Sequence, residues 1–214
     1  MTTSASPRAE RSADLWVASG NRKKRDELQR LLASLGYRIR TLDELDRPVD
    51  WVEDAPDFAG NAARKAIAVA TAVGAHALGD DSGLCVEALG GAPGVLSARY
   101  AGEGASDADR MAKLLAALDA AGGSRRARFV CHVCIAAADG RLLATFEDTC
   151  EGLIRSAPRG AGGFGYDPIF VPGAPSRPEA APTFAELTAE QKDAISHRGK
   201  ALRRLRVWLS EHPL

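Results

Sequence analysis

The segment Ser19-Gly20-Asn21, near the start of the chain, combines residue types that suit the binding of an anion. It follows a predicted buried strand at residues 14–18 and precedes a predicted helix whose first turn carries Lys24. Backbone N–H groups at the start of a helix favour phosphate or another anion, and a nearby lysine adds to this preference. The spacing of a Walker A loop is missing, and the segment taken alone favours a plain capped turn over an anion site.

Two neighbouring acids, Asp80 and Asp81, occur in the segment 79–83, which we expect to form a tight loop between two short strands. Adjacent carboxylates repel each other unless a positive charge lies nearby, and a hard cation such as Mg²⁺ binds carboxylate oxygens. Neighbouring strand residues point to opposite faces, so only one acid is expected to face a given site. The acid-rich stretch 42–57 offers a second carboxylate. An Asx-turn is the alternative interpretation.

Aromatic and basic residues in the second half of the chain suit a nucleotide. Phe164 and Tyr166 lie in a glycine-rich loop and offer flat surfaces on which a base could stack, or else they fill the core beside a turn. Farther along, Lys192, His197 and Arg198 supply donors for phosphate or carbonyl oxygens. A solvated polar helix face would have the same composition.

Cys131 and Cys134 form a C-x-x-C pair, a spacing that occurs in many metal sites. A structural zinc site needs four ligands, and the sequence has no second C-x-x-C or matching histidine pair. The surrounding residues are apolar and predict a buried strand, so we expect both cysteines to pack in the core. No serine lies in a G-x-S-x-G elbow, which argues against a serine hydrolase.

The elements that must position these residues alternate between strands and helices. The sequence predicts helices at 61–73, after Ser106 and after Thr188, where Ser196 would begin a second helical piece. Asp139-Gly140 predicts a hairpin between two strands, which fall at residues 127–138 and 141–151. This order predicts an α/β fold with a mixed central sheet. We expect a disordered tail at residues 1–13 and one domain at residues 14–214.

Composition and charge exclude several classes of protein. The 214 residues contain 28 Lys+Arg and 28 Asp+Glu, so the chain lacks the basic excess of a general nucleic-acid binder. At 45% hydrophobic residues the chain is expected to fold, and four cysteines do not make a disulfide scaffold at this length. The apolar stretch 66–73 is too short to span a bilayer, and we see no secretory signal. We therefore expect a soluble cytoplasmic protein that binds neither nucleic acid nor membrane.

Seven segments, considered together and in order, are far more specific than any one motif. They are ASGNRKK (18–24), FAGNAARKA (58–66), DDSGL (80–84), GGAPGVLSARYAG (90–102), GGFGYDPIF (162–170), TFAEL (183–187) and KDAISHRGKAL (192–202). This set resembles the XTP/dITP pyrophosphatases, also called inosine triphosphatases, over roughly residues 14–211. The resemblance implies a long mixed sheet with helices around two lobes and a nucleotide cleft between them. It also implies a Mg²⁺-dependent homodimer that hydrolyses dITP, ITP and XTP to the monophosphate and pyrophosphate.

The resemblance also implies roles for particular residues. Asp81 matches the proton acceptor and metal ligand, and Glu53 aligns with a second metal-ligating carboxylate. The segment around Glu53 departs from the glutamate-rich run that is usual there, with Gly60 where glutamate is common. The remaining matches are substrate contacts: Ser19, Gly20, Asn21, Lys24, Ser82, Phe164, Gly165, Tyr166, Asp167, Lys192, His197 and Arg198.

Base choice follows from hydrogen bonding to the purine 6-position. Lys192, a protonated His197, Arg198 or backbone N–H groups would donate to a 6-oxo group, and would face another donor in adenine. Two alternatives remain open at this point. One is a Maf-like pyrophosphatase for other modified nucleotides, and the other is a nucleotide-binding regulator without enzymatic activity.

Overall fold

A six-stranded mixed sheet forms the centre of the protein in a computed structural model, which describes residues 14–33 and 36–214. The strand order is β2-β1-β3-β4-β5-β6, with β2, β1 and β3 parallel and β3 to β6 antiparallel. The strands are β1 (Asp14–Ala18), β2 (Arg38–Thr41), β3 (His76–Val86), β4 (Arg126–Ala136), β5 (Leu142–Ile154) and β6 (Phe170–Pro172). The predicted α/β fold with a mixed sheet is therefore confirmed. The predicted disordered tail, residues 1–13, lies outside the described residues.

Within the described residues, five helices surround the sheet, and most begin at the predicted capping residues. They are α1 (Arg22–Leu32), α2 (Phe58–Val73), α3 (Asp107–Ala121), α4 (Ala189–Ile195) and α5 (His197–Glu211). Asn21 caps α1, Ser106 caps α3, and Ser196 separates α4 from α5 by capping the latter. Helix α2 begins three residues before the predicted Asn61, because Asp57 accepts a hydrogen bond from the Gly60 amide. None of the helices in the described ranges is long and apolar enough to cross a bilayer.

The predicted loop at residues 79–83 is wrong, because β3 runs through it without interruption. Asp80 and Asp81 lie opposite Val133 and His132 in the antiparallel ladder with β4. The glycines of this segment serve close packing and not a turn. A Cβ at Gly79 would lie 2.2 Å from a backbone oxygen of α2, so only glycine lets the helix approach the strand so closely. The Asx-turn alternative is excluded for the same reason.

Hydrophobic packing is divided between the two ends of the sheet. At one end, α1 and α5 cover one face, while the alanine-rich side of α2 covers the other. At the opposite end, Phe129, Phe170 and Phe184 form an aromatic cluster beneath α3. Cys131 is buried in the cluster beneath α1 and α5, and Cys134 in the cluster beneath α2, which confirms that the C-x-x-C pair belongs to the core.

We expect Gly79→Ala to destabilise the fold, because its methyl group would meet the α2 backbone, which cannot move as a flexible side chain would. Overpacking of this kind costs about 1–3 kcal/mol or more. Gly20→Ala is the matched control, since a Cβ there meets nothing within 4 Å. Urea denaturation monitored by circular dichroism measures both variants. Equal stability of the two would contradict this account of the β3–α2 contact.

Candidate active site

A cavity of about 340 Å³ opens between the two ends of the sheet. Its walls come from the β1–α1 junction, β3, the loop after β5, and the start of α5. All of the candidate residues from the sequence line this cavity: Ser19, Gly20, Asn21, Lys24, Glu53, Asp81, Ser82, Phe164, Gly165, Tyr166, Asp167, Lys192, His197 and Arg198. The fold thus brings together residues that are up to 179 positions apart, Ser19 and Arg198 being the extremes.

The β1–α1 junction forms one wall of the cavity. Ser19 is the first residue after β1, and its hydroxyl accepts a hydrogen bond from the Asn21 amide over 3.3 Å. The Asn21 side chain in turn accepts from the Lys24 amide over 3.2 Å and caps α1. The first turn of α1 contains no acid, so its amides and lysines present a positive surface to the cavity.

Asp81 and Glu53 face each other across one ammonium group. The Lys65 Nζ lies 2.8 Å from Asp81 Oδ1 and 3.0 Å from Glu53 Oε1. Asn61, one helical turn before Lys65 on α2, directs its amide toward Asp81 Oδ2 at 3.4 Å. Trp51 donates its indole N–H to Glu53 over 3.0 Å. Two carboxylates from an irregular loop and from β3 are thereby held around one positive charge.

The pKa values of these two carboxyls move in opposite directions. Burial raises the pKa of Asp81, and the ammonium of Lys65 offsets this only in part. Burial also acts on the half-buried Glu53, but there Lys65 and the Trp51 indole outweigh it and lower the pKa. Asp81 is therefore the stronger base of the pair, and Glu53 stays ionised to lower pH.

The donor set at this position fits a magnesium ion. The Lys65 ammonium lies between oxygens of Glu53 and Asp81, so the two carboxylates concentrate negative charge at this position. No group of three or more His, Cys, Asp and Glu side chains that could hold a metal occurs among the described residues. Mg²⁺ is usually bound through one or two carboxylates together with substrate phosphates and waters, so a pair of carboxylates suffices.

Asp80 lies on the opposite face of β3 from Asp81 and is fully buried. Its carboxylate binds Lys24 Nζ at 2.9 Å and Arg198 Nε at 3.2 Å. Burial alone would raise the pKa of Asp80, but these two cations hold it well below its usual value. Asp80 is therefore a charged anchor for two cavity-lining cations and does not contact Glu53.

A second, largely buried carboxylate binds two cations that line the cavity. Glu27, on α1, binds Lys192 Nζ at 2.8 Å and Arg198 Nη1 at 2.5 Å. Lys192 also contacts Asp167 Oδ2 at 2.7 Å, and its ammonium lies 4.8 Å from the centre of the Phe164 ring. Phe164 thus lies at the cavity wall beside the Lys192 ammonium.

Tyr166 has a different role from Phe164. Its ring is buried, and its hydroxyl donates to the Ser97 carbonyl oxygen over 2.9 Å. Of the two roles that the sequence left open for these aromatics, core filling therefore applies to Tyr166, although one side of the residue still lines the cavity.

The expectation of a protonated His197 is wrong. The ring is buried and stacks on Phe129 with 4.7 Å between centroids. Burial, together with the charges of Arg198 and Lys192, holds the pKa of His197 well below its usual value. The imidazole is therefore neutral at pH 7 and offers one donor and one acceptor.

Comparison with known proteins establishes the family to which the chain belongs. The model of the Ham1 family matches residues 15–208. The chain belongs to the Ham1 family. It is 48% identical over 193 residues to a dITP/XTP pyrophosphatase from Gloeobacter violaceus, covering 89% of this chain and 91% of that protein. A relative from Desulforamulus reducens with the same name is 47% identical over 191 residues, covering 89% of this chain and 92% of that protein.

Solved structures of Ham1 proteins share the fold. A HAM1 protein from Coxiella burnetii is 42% identical with a TM-score of 0.82, covering 93% of this chain and 99% of that one. A nucleoside-triphosphatase, or dITP/XTP pyrophosphatase, from Mycobacterium abscessus is 40% identical with a TM-score of 0.70, covering 90% and 97%. The mixed sheet and flanking helices of this Ham1 protein are thus those of the family.

Sequence reasoning missed several residues of this Ham1 site. Lys65 and Asn61 were overlooked, although they are the polar pair at i, i+4 on the buried, alanine-rich side of α2. Charged residues on such a face need partners, and that signal points to a nearby acid. Glu27 carried no comparable signal, because it lies among the many charges of α1 and its partners come from α4 and α5.

We predict that His197 makes the stability of this Ham1 protein dependent on pH. Below about pH 6.5 the unfolded chain protonates this histidine while the folded chain does not. The free energy of unfolding should therefore fall as the pH drops from 7 to 5, by up to about 1.4 kcal/mol per pH unit for one proton. Urea denaturation at several pH values should show a shallower dependence for His197→Gln. The same dependence in wild type and His197→Gln would refute the prediction; His212→Gln, at an exposed histidine, is the control.

Proposed function

We propose that this Ham1-family protein is a nucleoside triphosphate pyrophosphatase that hydrolyses dITP, ITP and XTP to the nucleoside monophosphate and pyrophosphate. One observation carries the proposal: the Asp81–Lys65–Glu53 cluster faces the anion-binding start of α1 across one cavity. The names of the relatives support the substrate class. Such an activity would remove deaminated purine nucleotides from the nucleotide pool.

We propose that Asp81 and Glu53 hold Mg²⁺ with the substrate phosphates. When bound, the metal would neutralise phosphate charge and favour attack by water. Asp81 and Glu53 are suited to this because Lys65 contacts both carboxylates and so keeps them close together.

Asp81 is the proton acceptor in this proposal. A water oxygen forms a bond to the α-phosphorus, the bond from that phosphorus to the α,β-bridging oxygen breaks, and pyrophosphate leaves with that bond's electron pair. The proton released by the water passes to an Asp81 carboxylate oxygen. The raised pKa of Asp81 makes it a better acceptor than an exposed aspartate would be.

Lys24 and Lys65 stabilise the negative charge of the phosphates. Both ammonium groups line the cavity from opposite faces of β3, and the Ser19–Asn21 segment adds backbone N–H groups. Fixed donors of this kind, shielded from water, are most effective where charge develops on the leaving pyrophosphate.

Recognition of the base is assigned to the opposite end of the cavity. Lys192 and Arg198 are cations that cannot accept hydrogen bonds, so they favour a 6-oxo group and oppose the 6-amino group of adenine. Phe164 supplies a face for stacking. The neutral His197 supplies one further hydrogen-bonding group. Its tautomer decides whether the ring nitrogen that faces the base donates or accepts.

The assembly and location are part of the proposal. We propose that residues 14–214 act as one two-lobed domain, and that the protein is a cytoplasmic homodimer. The support is the likeness to the inosine triphosphatases in seven segments. Size-exclusion chromatography with light scattering tests the dimer.

The test of the reaction is a substrate panel. Purified protein with Mg²⁺ is assayed with dITP, XTP, dATP, dGTP and modified pyrimidine triphosphates. We expect pyrophosphate from dITP and XTP far in excess of that from dATP and the modified pyrimidine triphosphates; dGTP shares the 6-oxo group, so contacts at the 6-position do not separate it from dITP. Preference for modified pyrimidines would favour a Maf-like activity, and no release from any substrate would favour a regulator that binds nucleotides.

We predict that Asp81→Asn lowers kcat for dITP by at least about 100-fold, because the amide cannot accept the proton. The amide keeps the shape of the carboxyl, so circular dichroism and the melting temperature should show a folded protein. A folded variant with the kcat of the wild type would remove Asp81 from the mechanism.

We predict that Glu53→Gln raises the Mg²⁺ concentration needed for half-maximal activity by about tenfold, since the site loses one of two charged ligands. Asp54→Asn is the matched control, because Asp54 lies next in the chain but pairs with Arg64 outside the cavity. If both variants need the same Mg²⁺ concentration as the wild type, Glu53 is not a ligand.

A further inference from the structure

Asp80 is a buried charge for which the proposed reaction has no use, since the proton acceptor and metal ligand is its neighbour. It is fully buried and points to the opposite face of β3. Its four hydrogen-bonding contacts come from three side chains: Lys24 to Oδ1 at 2.9 Å, Arg198 to Oδ2 at 3.2 Å and to Oδ1 at 3.3 Å, and Cys131 Sγ to Oδ2 at 3.0 Å.

The two cations on Asp80 belong to different parts of the cavity. Lys24 comes from the first turn of α1, at the phosphate end, and Arg198 comes from the first turn of α5, at the base end. Both contact the same oxygen, Oδ1, so one carboxylate fixes the position of each relative to the other. Arg198 is further restrained by Glu27 and by the Ser82 hydroxyl at 2.7 Å.

We propose that Asp80 is a positioning residue that couples base recognition to phosphate chemistry, because it fixes the side chains of Lys24 and Arg198 at one distance from each other. The inference rests on the proposed function and deepens it. A 6-oxo base that engages Arg198 is thereby aligned with a triphosphate that engages Lys24. Adenine, which cannot accept from Arg198, does not gain this alignment, so discrimination appears in turnover as well as in binding.

Stability alone does not account for this arrangement. Buried ion pairs often add little to stability compared with apolar residues of the same volume. Here one carboxylate serves two cations that both line the cavity, and a third donor, the Cys131 thiol, completes its hydrogen bonding. The arrangement restricts the geometry of the site.

The test compares Asp80→Asn with the wild type on dITP and dATP. The amide keeps the shape but removes the charge that holds the cations. We expect the ratio of kcat/KM for dITP over dATP to fall by about tenfold or more, mainly through a lower kcat for dITP. Cys131→Ala is the matched control, because it removes one donor to the same carboxylate and leaves both cations; its ratio should change by less than about twofold.

Each outcome separates this inference from the proposed function. If the wild type releases no pyrophosphate from dITP, the proposed function itself fails. If the wild type is active and a folded Asp80→Asn keeps the wild-type ratio, only the inference about Asp80 is overturned. A lower melting temperature with an unchanged ratio would mean that Asp80 is merely structural.

A second measurement applies if Asp80→Asn does not fold. Lys24→Met, Arg198→Met and the double variant form a mutant cycle on kcat/KM for dITP. Coupling through Asp80 predicts that the double variant loses clearly less than the product of the two single losses. Losses that simply multiply would show that the two cations act independently, and would overturn the inference.

Discussion

The site depends on two adjacent carboxylates in one buried strand, each of which must form ion pairs with cations from the surrounding helices. Asp80 and Asp81 point to opposite faces of β3, and each must find cations there because an unpaired buried carboxylate is very costly. Asp80 binds Lys24 and Arg198, while Asp81 binds Lys65. The requirement for charge pairing thereby brings the starts of α1 and α5 and the middle of α2 to one strand, and the cavity forms where they meet.

The same pairing explains why the two acids differ in chemistry. Asp80 has two cations and is held in the ionised form, which suits an anchor. Asp81 has one close ammonium, which it shares with Glu53, and burial raises its pKa. Residues of one type that are neighbours in the sequence are therefore suited to different roles, one as a fixed charge and one as a base or ligand.

Much of the fold could be predicted from local signals. The helix starts at Ser106 and Ser196 and the Asp139-Gly140 hairpin depend on neighbouring residues, and the structure contains them as predicted. The segment 79–83 was mistaken for a loop, because its glycines suggest a turn when the helix packed against them is not visible in the sequence. Long-range contacts decide this segment, and a single sequence does not record them.

The site shows the same division between local and distant information. Motif order predicts the cavity-lining residues, but the partners of the charges lie on other elements. Lys65 of α2 pairs with Glu53, and Glu27 of α1 pairs with the distant Lys192 and Arg198. The lowered pKa of His197 likewise depends on its burial and on the charge of the distant Lys192 as well as on its neighbour Arg198, and burial is not visible in the sequence. Residue types could be predicted, whereas their pairing and pKa values required the fold.

The central claim is that water attacks the α-phosphorus of a 6-oxopurine nucleoside triphosphate in this cavity. Its most direct test is a single turnover of dITP in water enriched in oxygen-18, followed by mass spectrometry of both products. The account predicts one labelled oxygen in the phosphate of dIMP and none in pyrophosphate. Label in the pyrophosphate, or release of orthophosphate from dITP, would contradict it.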